Sequence, residues 1–240
     1  STHSLPKVVC SRWSMLLKQS RYSGFVDIRV HSAIQVDTCL SLPYRFLISQ
    51  LGSTAVGIQT SEGIVLAVEK RSTSKLLVSN SMRKIEKLDN HIYCAMSGVV
   101  PDARTLIDHA RVETQTHWFN YAEPVTVRAC ARAIGKRCAG FGEGEMARPF
   151  GVALLVAGVD EHGPQLYCID PSGTVTKFLA KAIGAGSEGA QNTLKEQYNK
   201  SMSLEEARTL ALEVLKQVME ETITENNVEL TLIRVDEMRA

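Results

Sequence analysis

None of the six cysteines, Cys10, Cys39, Cys94, Cys130, Cys138 and Cys168, forms a Cys-x-x-Cys pair. The usual signature of a structural zinc site or a redox dithiol is therefore missing. An excess of charge of one sign is missing too. Lys plus Arg number 27 against 26 Asp plus Glu, a net charge of +1, which argues against a nucleic-acid or membrane specialist. The longest apolar run, Phe150 to Val159, is far short of the ~20 residues that span a bilayer, and reads as a buried strand. No apolar signal-peptide core is recognisable. Cys94 and Cys168 lie in apolar, strand-like runs as small core residues, and a reducing compartment is expected.

Acidic residues are scarce in the first fifty. Residues 1–50 hold six Lys/Arg, nine serines, Asp27, Asp37 and no glutamate. This basic, serine-rich composition superficially matches an organelle transit peptide, but it is read here as an atypical, irregular N-terminal segment. A domain of residues 51–240 follows, long enough to bury a core of two or more layers.

That domain is regular. Val/Ile/Leu-rich segments bounded by turn residues predict strands at 54–60, 64–70, 75–78, 84–88 and 91–97. Pro101-Asp102 opens a predicted helix to Phe119, and a second runs from Val125 to Ala139. Strands are expected at 150–158 and 164–170, with another after the Asp170-Pro171-Ser172-Gly173 turn. Two more helices come next, the later one starting at a capping box, Ser203-Leu204-Glu205-Glu206. A final strand covers Val228 to Val235. Strands, two helices, strands, two helices, strand is not βαβ alternation. It predicts an α+β fold in which two antiparallel sheets pack face to face, each covered outside by a helix pair.

Three groups of residues could carry chemistry. Gly184-Ala185-Gly186-Ser187-Glu188-Gly189 fits the Gly-x-Gly-x-x-Gly dinucleotide pattern between a strand and a helix. Its place late in the chain, with two helices before the next strand, does not suit the first crossover of a parallel unit. A tight strand-to-helix turn is the simpler role, and a nucleotide-binding module stays as an alternative. His109, Glu113 and His117 share one helix face, but no further metal ligand is apparent, so a polar stripe is expected and no metal or cofactor.

The third group is Ser53-Thr54 with Glu69 and Lys84. The hairpin Gly52 to Arg71, turning at Ser61-Glu62-Gly63, carries a glycine and then a hydroxyl on its first strand. N-terminal-nucleophile hydrolases cut themselves at such a place. A freed Ser53 could use its own α-amine as base, with Lys84 lowering its pKa and Glu69 orienting the lysine.

Gly52 to Arg71, Ser97-Gly98, Asp102-Ala103-Arg104, Arg148-Pro149-Phe150-Gly151-Val152, Gly163-Pro164-Gln165-Leu166, Asp170-Pro171-Ser172-Gly173 and Ala182-Ile183-Gly184 together resemble the proteasome core-particle subunits of alpha type. Gly57-Ile58-Gln59-Thr60, Glu113-Thr114-Gln115-Thr116-His117-Trp118-Phe119 and Leu215-Lys216-Gln217-Val218-Met219-Glu220-Glu221 are worded most like the alpha-type-5 branch. The resemblance spans residues 51–236. It implies a four-layer αββα sandwich of the N-terminal-nucleophile hydrolase type. It also implies a non-catalytic subunit of a threonine-type endopeptidase complex, active in ubiquitin-dependent degradation in cytoplasm and nucleus. Such a subunit would bind neighbouring alpha subunits, beta-ring subunits and the C-terminal tails of regulatory particles or activators, and would take no nucleic acid, membrane or cofactor.

Under that resemblance Lys84 matches the lysine that pairs with a tail carboxylate in the pocket between adjacent subunits, and Gly52 and Val99 match its flanks. Residues 1–50 depart from the family. They contain no Tyr-Asp-Arg segment, no Ser-Pro-x-Gly-Arg turn and no Val-Glu-Tyr-Ala helix, the parts that would supply the gate and the pocket glutamate. The alternative implied by the same family is a self-processed beta-type protease with Ser53 as nucleophile. Active beta subunits use threonine at that place.

Overall fold

The run expected to be a buried strand is one, and both of its faces are covered. The computed structural model describes residues 52–71, 82–140, 149–219, 223–224 and 226–235. In it, β5 (Val152–Asp160) buries every residue but its last. Ala153, Leu155, Ala157 and Val159 face a second sheet, while Val152, Leu154 and Val156 face helices. A strand covered on both sides has no reason to alternate polar with apolar, hence the unbroken apolar run.

Among the described residues, nine strands make two sheets. β3 (Ile85–Asp89), β4 (Ile92–Gly98), β5, β6 (Gly163–Ile169) and β7 (Val175–Phe178) lie in that order. The other sheet has the order β8 (Ala180–Ile183), β1 (Ala55–Gln59), β2 (Gly63–Glu69), β9 (Val228–Arg234). All pairings are antiparallel. Between the sheets, Ile64, Leu66 and Val68 of β2 meet Leu155, Leu166 and Cys168.

α1 (Val100–Tyr121) and α2 (Val127–Ala139) cover the five-stranded sheet through Leu106, Ile107 and Ile134. α3 (Ser187–Gln197) and α4 (Leu204–Val218) cover the other through Leu194, Ala207, Ala211 and Val214. The result is the four-layer αββα sandwich. Each fully buried Leu or Ile stabilises it by about 1.5–3 kcal/mol relative to exposure. The thiols of Cys130 and Cys168 are pushed up to about 12, chiefly by burial, and that of Cys94 is raised further by the same cause. All three act as small core side chains.

The expected capping box forms. Glu206 N–H donates to Ser203 Oγ at 3.3 Å, and Ser203 N–H donates to Glu206 Oε2 at 2.9 Å. One expectation needs correcting. The single strand after the Gly173 turn is two, because the half-exposed Leu179 interrupts it. β7 stays on β6, and β8 passes to the other sheet to pair with β1. The strand expected at 75–78, the N-terminal segment 1–50 and Glu220-Glu221 lie outside the described residues.

Candidate functional site at the Gly52 end

β4 ends at Gly98, and the entry to the β1–β2 hairpin crosses it there. Gly98 has φ 118°, and a Cβ on it would stand 2.4 Å from the Gly151 carbonyl oxygen. A Cβ on Gly52 would stand 2.2 Å from Gly98 N. Only glycines allow this crossing. The peptide between Gly52 and Ser53 is fixed from both sides. Ala185 N–H donates to the Gly52 carbonyl at 2.9 Å, and Ser97 Oγ donates to the Ser53 carbonyl at 2.8 Å. Ser53, Thr54, Glu69 and Lys84 are all buried, so the structure brings the four predicted residues to one end of the sandwich.

Their connections differ from the expected relay. The Glu69 carboxylate accepts from Thr54 N–H at 3.2 Å through Oε2 and from Arg71 Nε at 3.1 Å through Oε1. Both oxygens are engaged, and neither engages Lys84. The lysine is held by its backbone. Its N–H donates to Glu229 Oε2 at 2.8 Å, and its carbonyl accepts from Met96 N–H at 3.1 Å, which places Lys84 beside β4. Val99 follows Gly98, donates its N–H to the Gly151 carbonyl and accepts from Ala103 at the start of α1, both at 3.1 Å.

Glu229 also lies 3.4 Å from Lys70 Nζ. Three cations, Lys70, Arg71 and Lys84, thus share two carboxylates, and Lys84 makes no ion pair among the described residues. Burial lowers the Lys84 amine below the usual lysine range, the nearby Arg71 cation lowers it further, and Glu229 opposes both. A partly desolvated ammonium with surplus positive charge around it favours an incoming carboxylate, which would restore its proton affinity and receive a charge-assisted hydrogen bond.

Glu229 and Arg71 were not found by sequence reasoning. Glu229 is 145 residues from Lys84 in the chain, and nothing in the local pattern of β9 marks it.

The glycine loop belongs to the same end and is closed. Gly186 N–H donates to Thr54 Oγ1 at 3.2 Å, and a Cβ at Gly186 would fall 1.6 Å from Val218 Cγ1. Gly184, at φ 97°, lies against the Ser53 carbonyl. The loop is packed on Thr54 and α4, leaving no room for a pyrophosphate against its backbone. On α1, His109 Nε2 is 4.0 Å from Glu113 Oε1, whereas His117 Nδ1 faces the Glu123 carbonyl at 3.1 Å. Among the described residues no three His, Cys, Asp or Glu side chains converge as metal ligands.

Comparison with known proteins gives a consistent answer. One family model, described as Proteasome subunit, matches residues 49–233. Proteasome subunit alpha type-5 of Dictyostelium discoideum is 59% identical over 184 residues, 74% of this chain and 76% of that protein. A probable proteasome subunit alpha type-5 of Schizosaccharomyces pombe is 51% identical over 228 residues, 92% of this chain and 91% of the relative. That alignment is longer than residues 51–240 alone provide, so it reaches into the first fifty. The Drosophila melanogaster proteasome subunit alpha type-5 is 46% identical over 222 residues, 90% of this chain and 89% of that protein.

Proposed function

The chain belongs to the proteasome subunit family, and on that premise we propose that it is a non-catalytic alpha-ring subunit of the core particle. In this role it supports assembly of the barrel, takes part in gating substrate entry, and receives the carboxylate tails of regulatory particles. The setting is ubiquitin-dependent protein degradation in cytoplasm and nucleus. Its partners are neighbouring alpha subunits, beta-ring subunits and activator tails, and the endopeptidase chemistry resides in other subunits of the complex.

One observation carries the reading. The Gly52–Ser53 peptide is anchored through both flanking carbonyls, by Ala185 and by Ser97, while Glu69 is committed to Thr54 and Arg71. An N-terminal nucleophile of this kind needs a lysine oriented by an acid; here both oxygens of that acid are held by other groups. What the end offers instead is the partly desolvated Lys84 ammonium, and on this reading Gly52 and Val99 flank it in a pocket suited to a carboxylate.

The intact mass of the subunit taken from its native particle tests the first half. We expect no species beginning at Ser53, and a chain starting there with a reactive N-terminus would overturn the reading. Lys84→Ala tests the second half. Activator-tail peptides should bind the particle at least tenfold more weakly at this pocket, the equivalent of about 1.4 kcal/mol. Peptide hydrolysis by an already open barrel should stay within about twofold of wild type. A large loss of that hydrolysis would show Lys84 in the chemistry.

A further inference from the structure

Two lysines are joined to one carboxylate at the Gly52 end, one by its ammonium and the other by its backbone. Lys70 follows β2 and is tied to the start of β9, where its N–H donates to the Asn227 carbonyl at 2.7 Å. Its Nζ lies 3.4 Å from Glu229 Oε2, with 13% of the lysine side chain and 17% of the glutamate side chain exposed. The same oxygen accepts the Lys84 backbone N–H at 2.8 Å. Glu229 stands on β9 opposite Val68 of β2. Three separate stretches of chain therefore meet at its Oε2.

This wiring treats the two ammonium groups differently. A partly desolvated ion pair is screened less than one in open water, so Lys70 is held by its counter-charge. Lys84 gives Glu229 its backbone N–H and makes no ion pair among the described residues. Glu229 still opposes the lowering of the Lys84 amine by burial and Arg71, so its charge is felt at a group that it does not bond. The other acid at this end, Glu69, is engaged by Thr54 N–H and Arg71 Nε. No second carboxylate is left to do what Glu229 does. The Lys84 carbonyl meanwhile accepts from Met96 N–H at 3.1 Å, so residue 84 is fixed between β9 on one side and β4 on the other.

We propose that Glu229 selects the lysine that receives an incoming carboxylate. By pairing with the Lys70 ammonium and holding Lys84 through its backbone, it leaves the Lys84 ammonium open to a chain-terminal carboxylate. Its negative charge also limits how tightly that carboxylate is held. The inference rests on the reading of Lys84 as the receptor of a carboxylate tail, and adds how that site chooses and restrains its ligand. Selectivity of this kind comes from disabling a competitor as much as from building a contact. A carboxylate landing on Lys70 must first break the Glu229 pair, whereas one landing on Lys84 breaks no ion pair. Glu229 acts through the two lysines and is a positioning residue.

The test is a photo-crosslinkable peptide with a free C-terminal carboxylate, titrated against purified particles that carry wild-type or variant chain. Half-saturation is read from the label on this subunit, and the same peptide with a C-terminal amide is the control. Glu229→Gln keeps an oxygen for the Lys84 N–H and removes the charge; it should bind the tail about fivefold more tightly. Lys70→Met keeps the Glu229 charge and removes its partner. Binding should then weaken about fivefold, because the freed carboxylate turns to the Lys84 ammonium. In particles with Glu229→Gln, adding Lys84→Ala should weaken binding about threefold instead of the roughly tenfold expected without it, since the released Lys70 takes part of the ligand's charge. A glutamate that only braced the fold would weaken binding when changed to glutamine. That result, or unchanged binding, would overturn the selection, as would Lys70→Met particles that bind like wild type. A full tenfold loss from Lys84→Ala beside Glu229→Gln would also overturn it. If wild-type particles bind acid and amide peptides alike, or Lys84→Ala alone changes nothing, the tail-pocket reading itself fails.

Discussion

The two ends of β4 are about 20 Å apart and are built on opposite principles. At the Gly98 end, backbones touch: Gly52, Gly98 and Gly184 each sit where a Cβ would collide with backbone atoms, and the cation Lys84 is buried. At the Ile92 end, backbones part around a cleft, and the prominent groups are exposed aromatics and carboxylates. One end holds a partly desolvated amine, the other a group of carboxylates around an open cleft. An αββα sandwich can present both because every strand runs from one rim to the other. Residues that are close in sequence, such as His91 and Ser97, therefore serve different surfaces.

Glycine substitution gives the sharpest contrast. Gly98 at φ 118° would place a Cβ 2.4 Å from the Gly151 carbonyl, whereas Gly163, in the turn at the other end with φ 90°, would place one in open space. Gly98→Ala combines left-handed strain with overpacking against rigid backbone and should cost about 3 kcal/mol or more. For a domain of this size that is a fall in Tm of roughly 6–12 °C. Gly163→Ala carries only the conformational part, about 1 kcal/mol. Equal losses in thermal denaturation would show that the Gly52 end is no more tightly built than the cleft end.

His91→Leu should have the next largest effect. The buried His91 ring donates from Nε2 to the Val125 carbonyl at 2.7 Å, tying the β3–β4 turn to the α1–α2 loop. Leucine fills the space but leaves a buried carbonyl unpaired, a cost of about 1–3 kcal/mol. Faster amide exchange should appear in residues 122–127 and not around Gly52. Loosening at both ends would mean that the two surfaces are mechanically one.

Much of this was legible in the sequence, and the remainder was hidden for physical reasons. Element order and the two sheets followed from runs such as Phe150 to Val159 and from caps such as Ser203, because periodicity and capping act over a few residues. The switch of β8 to the other sheet was not legible, since it depends on what lies across from Ala182 and Ile183 and not on their own pattern. At the site, the sequence points to Ser53 and Glu69, and the resemblance to Lys84, Gly52 and Val99; the structure joins Ser53 to Ser97 and Glu69 to Thr54, and the pocket role of Lys84, Gly52 and Val99 is the proposal. Their wiring was hidden. Glu229 reaches Lys84 from the last strand, and Arg71 rather than Lys84 takes the Glu69 carboxylate. The cleft beside Trp118 was equally invisible, because it forms from three segments that meet only in the fold.

The smallest effect expected bears most directly on the Gly52 end. Burial and Arg71 lower the Lys84 amine in the folded chain, so between that lowered value and the ordinary 10.5 the unfolded chain binds more protons than the folded one. Stability therefore rises as pH climbs through this window, and below it the fold carries the full cost of a charged, partly desolvated amine. Lys84→Met keeps the length of the side chain and removes the charge. It should stabilise the unliganded chain at neutral pH by up to about 1 kcal/mol and flatten its rise in Tm on the alkaline side. The same substitution should abolish tail binding, because the group that costs stability without a ligand is the one a carboxylate would engage. A Lys84→Met chain that melts lower than wild type, or keeps the alkaline rise, would make the lysine a structural support, and the contrast between the two ends would then rest on the glycines alone.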